Sequence, residues 1–168
     1  MISLPEVQVT VTQSIVFLAF TTPLCFYVAW NDLRDMKIPN WCTDALAIVF
    51  IITGIFVMPF SDYLWRYAHF GVVLFFGILL NAAGAMGGGD SKFLASAAPF
   101  IALSDTAIVF YLLSVGLFVG FVTHRLARAV PVIRNVAPDW ASWSQGKRFP
   151  MGFAMGPVLI IYLAIPLF

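Results

Sequence analysis

Apolar residues in this chain come in runs long enough to cross a lipid bilayer, and that spacing limits the possible folds more than any other feature. A spanning helix needs about 20 apolar residues to cover about 30 Å of hydrocarbon. Scanning for such runs gives six, at 12–30, 41–59, 68–86, 91–104, 106–123 and 150–168. Backbone polar groups inside hydrocarbon must be satisfied within their own segment, so runs of this kind become helices. The expected fold is therefore all-α, a polytopic membrane protein of about six transmembrane helices. The fourth run is short. At about 1.5 Å per residue its roughly 13 residues reach only about 20 Å, so it is expected to be a tilted helix or a half-span buried among its neighbours. Composition agrees: of 168 residues, 61% are hydrophobic and 10% charged, too few polar groups to cover a soluble globule. A formal net charge of +1 excludes the basic excess of a nucleic-acid binder.

Charge distribution sets the orientation, because Lys and Arg in short loops stay on the cytoplasmic side. Arg34, Lys37, Lys92, Arg125, Arg128, Arg134, Lys147 and Arg148 all fall in the connections after the first, third and fifth runs. Only Arg66 lies in an opposite connection. This places both termini outside and the connections holding Asp32 and Asp90 in the cytoplasm. It also supports six spans, since losing the fourth would put the basic loop after the fifth on the wrong face. The first 13 residues carry Glu6 but no Lys or Arg, and no small-residue cleavage site follows the first run. That run is expected to be a retained span rather than a secretory signal. No repeat or low-complexity tract divides residues 1–168, so one domain is expected. Cys25 and Cys42 lack the spacing of a zinc site or disulfide framework.

The connection from His124 to Arg148 interleaves Arg125, Arg128 and Arg134 with Trp140 and Trp143. It reads as a segment at headgroup level, in contact with membrane lipid, with substrate docking as the other reading. Gly84 with Gly88, Gly116 with Gly120, and Gly152 with Gly156 are spaced four apart, as in close helix packing.

The chemistry sits in two acids. Asp32 follows the first run in Asn31-Asp32-Leu33-Arg34, and Pro39 and Asn40 form the turn into the second. Asp90 ends the run Gly87-Gly88-Gly89-Asp90, where three residues without Cβ atoms free the backbone and let another peptide come close. Both acids belong to the same membrane face and can converge. Two adjacent carboxylates resist ionising together, so one keeps a proton while the other accepts one. That equips them to activate water against an amide carbonyl and to support the oxyanion. His69 and His124 lie on opposite expected sides, so no shared histidine site forms. The remaining acids read as structural: Asp35 as a solvated partner of Arg34 or Lys37, Asp44 as a cap or interior group, and Asp62, Asp105 and Asp139 as loop charges. Lys92 is expected to snorkel to headgroups rather than pair with a carboxylate. The acid after the glycines and the absence of Gly-x-x-x-x-Gly-Lys-Ser/Thr argue against a phosphate loop.

Three motifs together resemble the type IV prepilin peptidase family, one of the glycine-x-glycine-aspartate intramembrane aspartyl proteases. They are Asp32-Leu33-Arg34 with Ile38-Pro39-Asn40, Met86-Gly87-Gly88-Gly89-Asp90-Ser91-Lys92, and Phe149-Pro150-Met151-Gly152-Phe153-Ala154. In the last, Met151 departs from the family's more usual aromatic. The resemblance implies an aspartic endopeptidase that removes the basic leader of prepilins at the cytoplasmic face. Asp32 and Asp90 would be its catalytic pair, and Gly87, Gly88, Gly89, Lys92, Pro39, Asn40, Pro150 and Gly152 its supporting residues. It implies no cofactor and no metal. Within the family, the chain resembles the short form serving Flp-type, tight-adherence pilus systems. It lacks the cytoplasmic insertion with paired cysteines found in longer, methylating members; only ten residues, 31–40, lie there. Two other classes stay open: a small proton- or cation-coupled transporter or channel using the same acids, and a non-catalytic component of pilus or secretion assembly. A transporter is expected to carry inverted repeats with interrupted spans, and none is visible.

Overall fold

A computed structural model describes residues 7–146 and 148–168. Glu6 and Lys147, both used in the charge argument, lie outside them. The described chain forms seven α-helices joined by short 3-10 turns, with no strand among the described residues. Helix α1 runs Val11–Asp35 and opens on a capping box, Thr10 and Gln13 each accepting the other's backbone N–H. It closes on Met36, whose backbone is left-handed (φ 54°). Helices α2 (Asn40–Val57) and α3 (Phe60–Ala82) each begin directly after an extended proline, Pro39 and Pro59. Helix α4 is Gly88–Ala97, α5 Thr106–Ala129, α6 Pro131–Val136 and α7 Gly152–Ala164.

All six apolar runs contain a helix, but among the described residues only four stretches are long and apolar enough to cross a membrane: α1, α2, α3 and Leu103–Ala129, which contains α5. Helix α4 is a ten-residue piece continued by 3-10 turns at 98–100 and 103–105. Every residue from 95 to 100 is buried, so this segment is enclosed by its neighbours, as one of the two expectations for the fourth run had it. Helix α5 turns most of its surface outward, with Phe110, Tyr111 and Phe118 each more than 60% exposed, as befits contact with lipid.

The core is built on α1, which packs most extensively on α7 and also on α2; α3 packs on α4, and α5 on α7. Phe17, Phe50 and Phe100 meet at its centre, the Phe17 and Phe100 rings edge to face at 5.0 Å. Helices α1 and α7 touch backbone to backbone: a Cβ at Gly156 would lie 2.6 Å from the Cys25 carbonyl oxygen, a separation only glycine permits. Gly116 and Gly120 likewise face α7, at Val158 and Ala154. The third pair is corrected. Gly84 is not on a helix face with Gly88; it lies in the α3–α4 turn at φ +71°, with open space around its Cα.

Three boundaries also differ from expectation. Helix α1 continues five residues past 30, so Asp32 belongs to its last turn instead of the connection after it. Helix α3 starts at Phe60 because Tyr63 and Arg66, which a hydropathy scan discounts, bury themselves by bonding the carbonyls of Ile51 and Pro99. Helix α5 runs to Ala129, and the expected headgroup segment folds back on the protein: Trp143 is buried and stacks on His124 at 5.3 Å.

Candidate active site

Asp32 continues a buried stripe along α1, formed by Ser14, Phe17, Thr21, Cys25 and Val28 at helical spacing. That register aims its carboxylate at α7, and it is 5% exposed. Asp32 Oδ2 accepts a hydrogen bond of 2.7 Å from the backbone N–H of Gly152, the first residue of α7. The helix start supplies both a free donor and a favourable dipole for the charge. A Cβ at Gly152 would stand 3.0 Å from Asp32 Oδ2 and 3.1 Å from Ile38 Cδ1, so the site closes tightly around this position. Pro150 is buried in the segment leading into α7.

Asp90 lies in the first turn of α4, outside the four long apolar helices. Its carboxylate folds back to the N–H of Gly87, the residue capping the helix, in the reciprocal half of a capping box. Burial pushes the Asp90 carboxyl up to about 6, against the opposing pull of that amide. The glycine run therefore works differently from its sequence reading. Gly87 has φ −68°, open to any residue. What it provides is space, since a Cβ there would lie 2.6 Å from Asp90 Oδ2. The left-handed residue that turns the chain is Gly84. Gly89 presses on Ile38, with a Cβ reaching 3.2 Å from the Ile38 Cβ, while Gly88 faces only the Asn81 side chain at 3.7 Å.

Ile38 thus sits between the two motifs, in contact with the Gly89 position on one side and Gly152 on the other. It brings the two motifs, and with them the carboxylates, to one end of the bundle. The loop that carries Ile38 is fastened by Asn31, whose Nδ2 donates to the Lys37 carbonyl at 2.7 Å. Pro39 then starts α2, and Asn40 Oδ1 accepts from Lys92 Nζ at 2.9 Å, tying α2 to α4. Lys92 is therefore paired with an amide instead of reaching for headgroups. The glycine turn is held by Asn81 Nδ2 on the Met86 carbonyl (2.8 Å) and by Ser91 Oγ on the carbonyls of Gly77 (2.9 Å) and Gly87 (3.1 Å). Sequence reading missed Asn31, Ile38, Asn81 and Ser91 as supports. For Asn31 and Ser91 the available signal was a small polar residue directly beside each acid; Ile38 and Asn81 carried none.

The other acids divide. Asp35 pairs with Arg34 at 3.5 Å, both exposed, while Asp44, Asp62 and Asp139 are exposed. Asp105 is no loop charge: it is 2% exposed and accepts from the Gln8 N–H at 2.9 Å and the Tyr162 hydroxyl at 2.8 Å. It anchors the opposite end of the bundle together with Arg66 and His69, whose Nδ1 meets the Ile101 carbonyl. Among the described residues no three His, Cys, Asp or Glu side chains cluster as metal ligands.

The model of the type IV leader peptidase family matches residues 19–123, a stretch that includes both acids and the glycine turn. The chain belongs to that family. Membership implies a peptidase with a prepilin-type substrate in general, and the four long apolar helices make this leader peptidase a membrane protein. The chain matches no curated protein and no solved structure. The match stops before α7, so Gly152 enters the site through its bond to Asp32 rather than through the family match.

Proposed function

We propose that this chain is a membrane aspartyl endopeptidase that removes the basic leader of prepilins at the cytoplasmic face, using Asp32 and Asp90. The carrying observation is that a buried carboxylate from α1 and a half-buried one from α4 share one end of the bundle, where Gly152 beside Asp32 and Gly89 beside Asp90 both close on Ile38. Two such groups hold one proton between them. The ionised acid takes a proton from water, and the water oxygen bonds to the scissile carbonyl carbon. The protonated acid hydrogen-bonds the resulting oxyanion. Collapse then breaks the C–N bond, and the proton passes to the leaving amine. The exposed edge of the glycine turn, at Gly87 and Gly88, offers the substrate backbone its way to Asp90.

In this reading the six helices that correspond to the apolar runs form one transmembrane domain, with α4 and α7 completing the bundle as shorter elements. Both termini lie outside and the enzyme sits in the bacterial inner membrane. The ten-residue span from Asn31 to Asn40 leaves no room for a methylating insertion, which favours the short, Flp-type form and Flp-type pilin precursors as substrates. The test is to reconstitute the purified protein in liposomes with candidate prepilins and to determine the product masses. Release of the basic leader supports the reading. An intact precursor with every Flp-type candidate contradicts it.

A further inference from the structure

At the end of the bundle opposite the acids, an open pocket of about 260 Å³ lies where α2 gives way to α3, walled also by the segment before α1 and by the turn at 103–105. Its wall is mostly polar, with Gln8, Asp62, Arg66 and Ser104 among the lining residues, and it is flanked by Trp65 and Leu103, each more than 60% exposed. Arg66 is the anomaly. It is 9% exposed, and its Nη1 donates to the Pro99 carbonyl at 3.3 Å, the one hydrogen bond it makes among the described residues. No carboxylate among those residues comes within salt-bridge distance of it. Asp105 is taken up by the Gln8 N–H and by the hydroxyls of Tyr162 and Ser104, and Asp62, one helical turn before Arg66, is exposed. A guanidinium carries five N–H donors, and a buried charge without an ion partner is costly. In a membrane protein such a residue marks a place where a ligand completes the pairing.

We propose that this pocket holds the headgroup of a phospholipid bearing a primary ammonium, of the phosphatidylethanolamine class, with the phosphodiester on Arg66 and the ammonium on Asp62. The two charges select the headgroup. An anion alone would gain Arg66 but meet Asp62, which lines the same pocket at i, i+4 spacing on α3, about 5–6 Å away between Cβ atoms. A zwitterion answers both. A choline headgroup has no N–H to give the carboxylate, and a glycerol headgroup has no cation. Trp65 and Leu103 favour a lipid over a soluble phosphate compound, because they set exposed apolar surface beside the polar pocket for the acyl chains; tryptophan is at home at headgroup level. His69 is no contact for the ligand, since its Nε2 is buried and its Nδ1 meets the Ile101 carbonyl. The bound lipid ties the start of α3 to the segment before α1 and to the turn at 103–105, and stabilises the fold by mass action. The proposal needs only that the chain is a membrane protein, and stands apart from the peptidase reading.

The experiment uses the full chain, purified in detergent, stripped of lipid and offered equal amounts of phosphatidylethanolamine, phosphatidylcholine and phosphatidylglycerol with identical acyl chains. Native mass spectrometry reads the retained adducts, and a thermal scan reads the unfolding midpoint with each lipid. Phosphatidylethanolamine should be retained about tenfold or more over either of the others, the order of one charge-assisted hydrogen bond, and should raise the midpoint most. Asp62→Asn, at an exposed position, should lose the preference over phosphatidylglycerol, and Arg66→Gln should lose retention of all three. Arg134→Gln, an exposed arginine on α6 outside the pocket, should behave as wild type. Equal retention of the three lipids by wild type, or a preference for phosphatidylcholine or phosphatidylglycerol, overturns the proposal. So does undiminished selectivity in Asp62→Asn, which decides the question even if Arg66→Gln fails to fold. A midpoint raised as far by phosphoethanolamine, the headgroup without acyl chains, overturns the lipid as the occupant.

Discussion

Replacing Gly87 by alanine gives a sharp test of how the glycine turn works. The new Cβ would stand 2.6 Å from Asp90 Oδ2, whereas ordinary contact begins at 3.4 Å, so something must move by 3.4 − 2.6 = 0.8 Å. The backbone has no reason to resist the substitution, because φ at Gly87 is −68°. The carboxylate is the part that gives way. It loses the Gly87 N–H, worth about 1.5–3 kcal/mol for a bond to a charged group, and a displacement of roughly 1 Å at a reacting group costs about 100-fold in rate. Gly88→Ala is the matched control, since its Cβ would find only Asn81 at 3.7 Å. Both variants should fold, since alanine is tolerated at position 88, the first residue of α4. Prepilin cleavage by purified protein in liposomes, with thermal unfolding measured on the same samples, should give Gly87→Ala a loss of about 10- to 100-fold in kcat. Gly88→Ala should lie within about threefold of wild type. Equal activity of the two variants, or a loss of activity in Gly87→Ala no larger than its unfolded fraction accounts for, would refute the reasoning.

Two further outcomes concern stability. Asp105→Asn and Tyr162→Phe each disturb the buried cluster at the opposite end of the bundle and should destabilise the protein by about 1–3 kcal/mol, lowering its thermal midpoint in detergent while activity per folded molecule stays the same; loss of specific activity at an unchanged midpoint contradicts this. Asp90 binds its proton more tightly in the folded state, near pH 6 against an ordinary 3.8, so the stability it contributes is present below about pH 3.8 and is lost as pH rises through about 6. Asp90→Asn should therefore unfold at a higher temperature than wild type at pH 7.5, with the gain shrinking toward pH 4. A gain that does not change with pH speaks against the raised affinity.

The helices were legible in the chain because they depend on short-range properties, and the end of the bundle at which each acid lies follows from them. Apolar runs mark the helices, and the alternation of sides carries Asp32 and Asp90 to one end. Arg66, the one basic residue set against the other eight, does sit at the end opposite the acids, beside Asp105 and the start of α1. Illegible features all depend on partners distant in sequence. Asp105 is separated by 57 positions from the Tyr162 that buries it, and Asn40 by 52 from Lys92. Gly87 carries no mark that its missing Cβ serves its own neighbour Asp90, since φ and contact distance are properties of the folded turn. Trp143 reads as an interfacial tryptophan until α5 is seen to extend far enough to bring His124 beneath it.

The central claim is that Asp32 and Asp90 form one catalytic unit, and the most direct measurement is the prepilin cleavage rate of Asp32→Asn and Asp90→Asn beside Asp35→Asn and Asp44→Asn. All four are measured in the same liposomes with the folded fraction determined for each. The first two should each lose cleavage by at least about 1,000-fold, as groups acting as a unit do, and the last two should cut normally. Normal cleavage by either Asp32→Asn or Asp90→Asn would contradict the account.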